Sequence, residues 1–209
     1  MDRLILVHGL GVSPRYFAPL LEELPGAEAP DLRRATTLPA LAEQLARAVG
    51  EQPAAFLGNS FGCQMIAELA VRRPELVDRA VFVGPTVDRR RRSWVSQAAR
   101  LALDAVREPP GLVAIAVRDY FSTGPIRTLR MAREALRDPL ELKLPALHAP
   151  LLVVRGGRDP LCPQDWAEEV TRLVPRGRLA VIAGAAHASH YSHPAQLAAI
   201  VRAFLEEPQ

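Results

Sequence analysis

Three short stretches carry residues that could perform nucleophilic chemistry together. Ser60 sits between glycines in Gly58-Asn59-Ser60-Phe61-Gly62, Asp159 lies in the turn Gly156-Gly157-Arg158-Asp159, and His187 stands three residues beyond Gly184. A serine hydroxyl is a poor nucleophile until a base takes its proton, and the base needs a carboxylate to fix its tautomer. The pentapeptide follows an apolar run and precedes a helical one, so Ser60 is expected on a sharp, strained strand-to-helix turn that lifts its hydroxyl clear. Glycines at 58 and 62 remove side chains that would collide with the neighbouring strand and helix. A fourth stretch, His8-Gly9-Leu10-Gly11, ends the first apolar run. The backbone N–H groups of Leu10 and Phe61 are the expected donors to an oxyanion. His8 is read as a brace for its own loop rather than as the base.

Which histidine serves as base follows from position. The last strand is expected to end at Gly184, which puts His187 nearest the sheet edge. His193 precedes Pro194, a first-turn residue of the final helix, and is carried away from that edge; His190 lies between and is expected to line the pocket mouth.

These residues need a scaffold, and the apolar pattern supplies one. Runs at 4–9, 27–32 (the weakest), 54–59, 79–84, 150–157 and 178–184 read as strands buried on both faces, the mark of a parallel sheet covered by helices. Stretches at 38–49, 64–73, 165–174 and 194–207 have helical spacing between them. The alternation predicts an α/β doubly wound, mostly parallel sheet of about six strands in one domain spanning 1–209. Residues 86–146 break the rhythm: they hold no strand pattern, two helical pieces, and the breakers EPPG and STGP. That length far exceeds a crossover, so a helical insertion over one sheet edge is expected, with EPPG and STGP as hinges. Trp94, Tyr120, Phe121 and Met131 within it are the candidate pocket wall.

Composition narrows the function classes. The chain has 209 residues, 49% hydrophobic, enough for a sizeable core. Its 26 basic residues, of which Lys143 is the only lysine, are spread along the chain against 23 acidic ones, which gives no nucleic-acid footprint. The one dense run, Arg89 to Arg92, reads as a solvated loop or helix end. No apolar run approaches a membrane span, the first is too short for a signal-peptide core, and the cytoplasm is the expected compartment. Cys63 and Cys162 make no disulfide framework, no His/Cys spacing suggests a metal, and HGLGVS lacks the G-x-G-x-x-G dinucleotide pattern. The expected partner is a small-molecule substrate with no cofactor; the sequence does not set an oligomeric state.

Together HGLG, GNSFG, GGRDPLCP and GAAHASH resemble the α/β-hydrolase superfamily over nearly the whole chain. The resemblance implies the chain order Ser60, Asp159, His187, each just past a strand end. It implies that 86–146 is a small cap inserted after the family's sixth strand, and that the first apolar run corresponds to the family's third strand, so a fold without the family's first two strands is expected. It also implies a serine hydrolase of a small carboxylic ester or thioester working through an acyl-enzyme. GNSFG is similar to the elbow of carbon–carbon bond hydrolases acting on ring-cleavage diketones. Many of those carry a tryptophan shortly after the histidine, where this chain has Ala188-Ser189-His190-Tyr191. A ligand-binding protein that keeps the pocket without turnover is the third alternative, distinguished by its failure to turn over an activated ester.

Overall fold

The computed structural model describes residues 3–207. Five strands, β1 (Leu4–Val7), β2 (Ala54–Asn59), β3 (Val77–Val83), β4 (Leu151–Gly156) and β5 (Gly177–Ile182), form one sheet in the order β1-β2-β3-β4-β5. Every pairing is parallel. Ten α-helices are found among the described residues. They are α1 (Ala18–Glu23), α2 (Leu38–Val49), α3 (Phe61–Arg72), α4 (Trp94–Ala105), α5 (Pro110–Thr123), α6 (Pro125–Arg137), α7 (Leu140–Lys143), α8 (Gln164–Arg172), α9 (Ser189–Ser192) and α10 (Pro194–Leu205).

Alternate strand residues point to opposite faces, and both faces are apolar, so two cores form. Ile5, Val7, Phe56, Phe82 and Val153 face α2, α3 and α8, where Leu41, Leu45, Ile66, Leu69 and Trp166 meet them. Leu4, Leu6, Leu57, Val81 and Val154 face α1 and α10, with Leu20, Leu197 and Val201 opposite. Each fully buried Phe, Leu or Ile here contributes about 1.5–3 kcal/mol of apolar transfer.

The expected sixth strand, 27–32, is reduced to a single bridge. Glu28 pairs with β1 on the side away from β2, through Leu6 N–H to Glu28 O (2.7 Å) and Glu28 N–H to Leu4 O (2.9 Å). Pro30 has no N–H to continue the ladder, and no β-branched residue stiffens the segment. That bridge nevertheless makes the sheet doubly wound. The chain leaves β1 toward α1 on one face, touches the far edge at Glu28, and returns through α2 on the other face to β2. The loops after β1 and β2 therefore diverge, which opens a crevice at their carboxyl ends, where ligands bind in such sheets.

Between β3 and β4 the described chain is helical; EPPG (108–111) runs into the start of α5, and STGP (122–125) straddles the α5–α6 junction. Pro110 and Pro125 occupy first helical turns, and the Ser93 hydroxyl caps α4 by accepting from Ser96 N–H at 3.2 Å. The segment is tied down at several points. Asp119 accepts the Ser13 amide at 2.7 Å, Thr123 Oγ1 donates to Gly11 O at 2.9 Å, and Gln64 reaches the Ala135 carbonyl at 2.9 Å. The arginine run is neutralised: Arg89 and Arg90 pair with Glu169, Arg91 with Asp88, and Arg92 with Glu141. Among the described residues, no helix is long and apolar enough to cross a membrane.

Candidate active site

Ser60 joins β2 directly to α3 with φ 56° and ψ −117°, the one non-glycine residue at positive φ among those described. A side chain held there costs on the order of 1–3 kcal/mol, and such strain persists only where surrounding structure enforces it. The enforcement is visible. Ser60 N–H is bonded to Val83 O at 3.0 Å, and a Cβ on Gly62 would lie 2.2 Å from the Val7 carbonyl oxygen. Phe61 opens α3, so its N–H is among those with no acceptor inside the helix. The loop bearing Leu10 lies against the serine: a Cβ on Gly9 would be 3.6 Å from Ser60 Cβ. Ser60 Oγ meets Thr86 Oγ1 at 3.3 Å.

Asp159 and His187 come together across the ends of β4 and β5. His187 Nδ1 and Asp159 Oδ2 are 2.8 Å apart, both residues buried. The other carboxylate oxygen, Oδ1, accepts from Leu161 N–H (2.8 Å) and Cys162 N–H (3.0 Å). Arg155 braces that turn by donating to Cys162 O at 3.0 Å. With Nδ1 on the carboxylate, Nδ1 keeps the proton of the neutral ring and Nε2 is the nitrogen that gains and loses one; it is buried with no hydrogen-bond partner. Burial opposes a charge on His187, but Asp159, joined by Asp104 and Glu108, outweighs it and raises the imidazole to about 9.

Gly84 connects the pair to the serine. It follows Val83, whose carbonyl holds Ser60 N–H, and a Cβ on it would lie 2.9 Å from both Asp159 Oδ2 and His187 Nδ1. Asn59, fully buried, makes a second connection. Its Oδ1 accepts from Tyr16 OH at 2.8 Å, and its Nδ2 donates to Val83 O (3.2 Å) and His187 O (3.4 Å). His8 is occupied on both nitrogens: Leu32 N–H donates to Nε2 at 3.0 Å, so Nδ1 is the protonated nitrogen and donates to Gly9 O at 3.0 Å. It braces the 8–11 loop, as its sequence position suggested.

The expected pocket wall is distributed differently. Tyr120 packs over Gly11, 2.8 Å from where a Cβ would be, beside the Leu10 loop. Trp94 is half-exposed at the start of α4. Phe121 is 78% exposed, because α5 buries the face of Leu112, Asp119 and Thr123, and two residues past Asp119 turns about 200° away. Met131 is fully buried in the core with α3. His190 does not line a pocket mouth: it is fully buried with its ring 4.1 Å from Tyr16 and 4.9 Å from Phe17, and burial keeps it neutral. A surface cavity of about 570 Å³ between Arg33, Gln44 and Arg127 includes none of Ser60, Asp159 or His187.

Sequence reasoning missed Thr86, Gly84, Tyr16, Asp104 and Glu108. The Gly84-Pro85 turn at the end of β3 was the available signal for the first two. The last two come from 86–146: Asp104 reaches the His187 amide across 83 residues and Glu108 the Ala188 amide across 80, with no local pattern to announce them.

A parallel sheet, a strained serine at one strand end and a buried imidazole–carboxylate pair at two others define an α/β-hydrolase architecture. The profile described as the Alpha/beta hydrolase family matches residues 4–200, and the chain belongs to that family. It is similar to the pimeloyl-[acyl-carrier protein] methyl ester esterase of Neisseria meningitidis serogroup B, 27% identical over 242 residues, covering 99% of this chain and 93% of that protein. Among solved structures, a thermophilic esterase from Thermogutta terrifontis superposes with a TM-score of 0.81 at 21% identity, covering 98% of this chain and 89% of that one. The hydrolase olei00960 from Oleispira antarctica gives 0.82 at 13% identity, covering 100% and 92%. The two superpositions bear on fold; the family and its esterase relatives support hydrolysis of an ester.

Proposed function

We propose that the protein cleaves a small carboxylic ester or thioester through an acyl-enzyme. Ser60 is the nucleophile, His187 the base and then the acid, and Asp159 the group that holds the imidazole; the N–H groups of Leu10 and Phe61 receive the oxyanion. One observation carries the reading: the buried His187–Asp159 hydrogen bond that leaves Nε2 without a partner, linked through Gly84 and Val83 to the strained serine.

The steps follow. Ser60 Oγ turns from Thr86 and adds to the carbonyl carbon while its proton passes to His187 Nε2. The carbonyl oxygen becomes an alkoxide facing Leu10 and Phe61. The bond to the leaving oxygen or sulfur breaks, and His187 returns the proton to that atom. Water then gives a proton to Nε2 and attacks the acyl carbon; Ser60 Oγ leaves with the proton, and the carboxylic acid departs. Residues 86–146 act in this reading as a cap, a role supported by the bonds of Asp119 and Thr123 to the loop around Leu10.

The relatives named as methyl ester esterases support an ester over a carbon–carbon bond as the scissile group. The test is turnover of short p-nitrophenyl esters by the wild-type protein and by Ser60→Ala. The variant should lose at least about three orders of magnitude, since nucleophile and base act as a unit. A folded wild-type protein inert toward the whole series overturns the reading.

A further inference from the structure

Arg100, Asp104, Arg107 and Glu108 recur at i, i+4, i+7 and i+8 along α4 and the turn after it, on one helical face. Each reaches a loop of the candidate site. Arg100 donates to the Pro160 carbonyl, and Arg107 donates to the Arg158 carbonyl at 2.6 Å; these residues flank Asp159. Asp104 Oδ1 accepts His187 N–H at 3.1 Å, and Glu108 Oε1 accepts Ala188 N–H at 2.6 Å. Cations therefore hold the carbonyls of one loop, and carboxylates hold the amides of the other. Asp104 is the one buried residue of α4, while Trp94, Val95, Leu101 and Leu103 are exposed on it. The helix is thus anchored through polar groups that bridge two loops, an expensive arrangement if its task were only to pack.

We propose that Arg100, Asp104, Arg107 and Glu108 form a positioning clamp that joins the Asp159 loop to the His187 loop and keeps negative charge beside the imidazole. The clamp touches no substrate and acts through His187. The charged and titratable groups around that ring are Asp159 from the turn after β4, Asp104 and Glu108 from the end of α4, and His190 from α9. Arg107 faces Asp104, and the phenols of Tyr16 and Tyr120 lie in the field of the same carboxylates. Burial pushes Asp104 up and carries Glu108 to about 7, so the charge beside His187 builds through neutral pH.

The test titrates the His187 ring by NMR in a Ser60→Ala background, where no turnover is needed. Asp104→Asn keeps an acceptor for the His187 amide while removing the charge, and Glu108→Gln does the same for Ala188. Each should lower the His187 midpoint by about one pH unit, the size expected for loss of one nearby charge, and Asp104→Glu should restore it. With Ser60 intact, the acid limb of kcat/KM for p-nitrophenyl acetate should move down by the same amount, with KM within about twofold. The kinetic arm alone rests on the ester-hydrolase reading. A lowered midpoint without any turnover supports the clamp and refutes that reading. An unchanged midpoint with either carboxylate neutralised in a folded protein overturns the clamp, whatever the kinetics. Should one variant not fold, the other carries the same expectation and the same refutation.

Discussion

Replacing Gly84 by Ala adds one methyl group at the point where the site is tightest. The new Cβ would stand 2.9 Å from Asp159 Oδ2, 2.9 Å from His187 Nδ1 and 3.0 Å from His187 Cε1, on a backbone at φ +56°. Ordinary contacts are about half an ångström longer, and neither partner can yield freely. Asp159 is held through Oδ1 by two backbone amides, and His187 through its own amide by Asp104. Behind the histidine loop, the Ala186 carbonyl oxygen lies 2.1 Å from where a Cβ on Gly156 would be, so the loop has no room to retreat across the end of β4. The methyl group should push the 2.8 Å His187–Asp159 bond open. Loss of base orientation is worth about 10²–10⁴ in turnover. The left-handed backbone adds about 1–2 kcal/mol of destabilisation, or on the order of 2–8 °C in Tm for a chain of this length. Gly26→Ala is the control: its φ is +95° and nothing lies within 4 Å of the added carbon, so it pays the backbone strain alone. Ester turnover and thermal melts on both variants separate the terms. A Gly84→Ala protein with turnover within threefold of wild type would refute the reasoning.

Three further outcomes are expected. Because the base must be unprotonated and His187 is raised from 6.5 to about 9, kcat/KM should climb with pH through a midpoint well above 6.5; a profile flat from pH 6 to 9 contradicts the assignment. The same shift stabilises the folded state fully below pH 6.5 and is lost as pH rises through about 9, so His187→Gln should remove that part of the melting-temperature profile. His187→Ala should abolish ester turnover while His193→Ala, bonded to Ser192 Oγ ahead of α10, stays within about tenfold; the reverse result would reassign the base.

The sheet was legible because β1 to β4 are buried on both faces and so read as continuous apolar runs; β5, an edge strand, was expected to be buried likewise but buries only Ile182, and it was found by its apolar content alone. A helix start was legible where proline marked it, at Pro194. The segment at 27–32 shows the limit: apolar content alone suggested a strand, but Pro30 and the lack of β-branched residues leave one bridge at Glu28. Positions of Ser60, Asp159 and His187 followed from turn chemistry at strand ends, which is local. What escaped notice depends on long-range closure. Asp104 and Glu108 look like solvent-facing acids of an amphipathic helix until the fold brings them to His187. His190 looked like a pocket residue because it is polar and close to the base in sequence. Its side chain is instead turned between Tyr16 and Phe17, an orientation set by α1-side packing that no nearby residue encodes.

The central claim is that Ser60 is an activated nucleophile, and covalent labelling reads it most directly. The folded protein is treated with a fluorophosphonate and the modified peptide located by mass spectrometry, with denatured protein as control. The account predicts one adduct, on Ser60, formed together with loss of ester turnover and greatly slowed in His187→Ala. Labelling at another serine, or none on a folded sample, would contradict it.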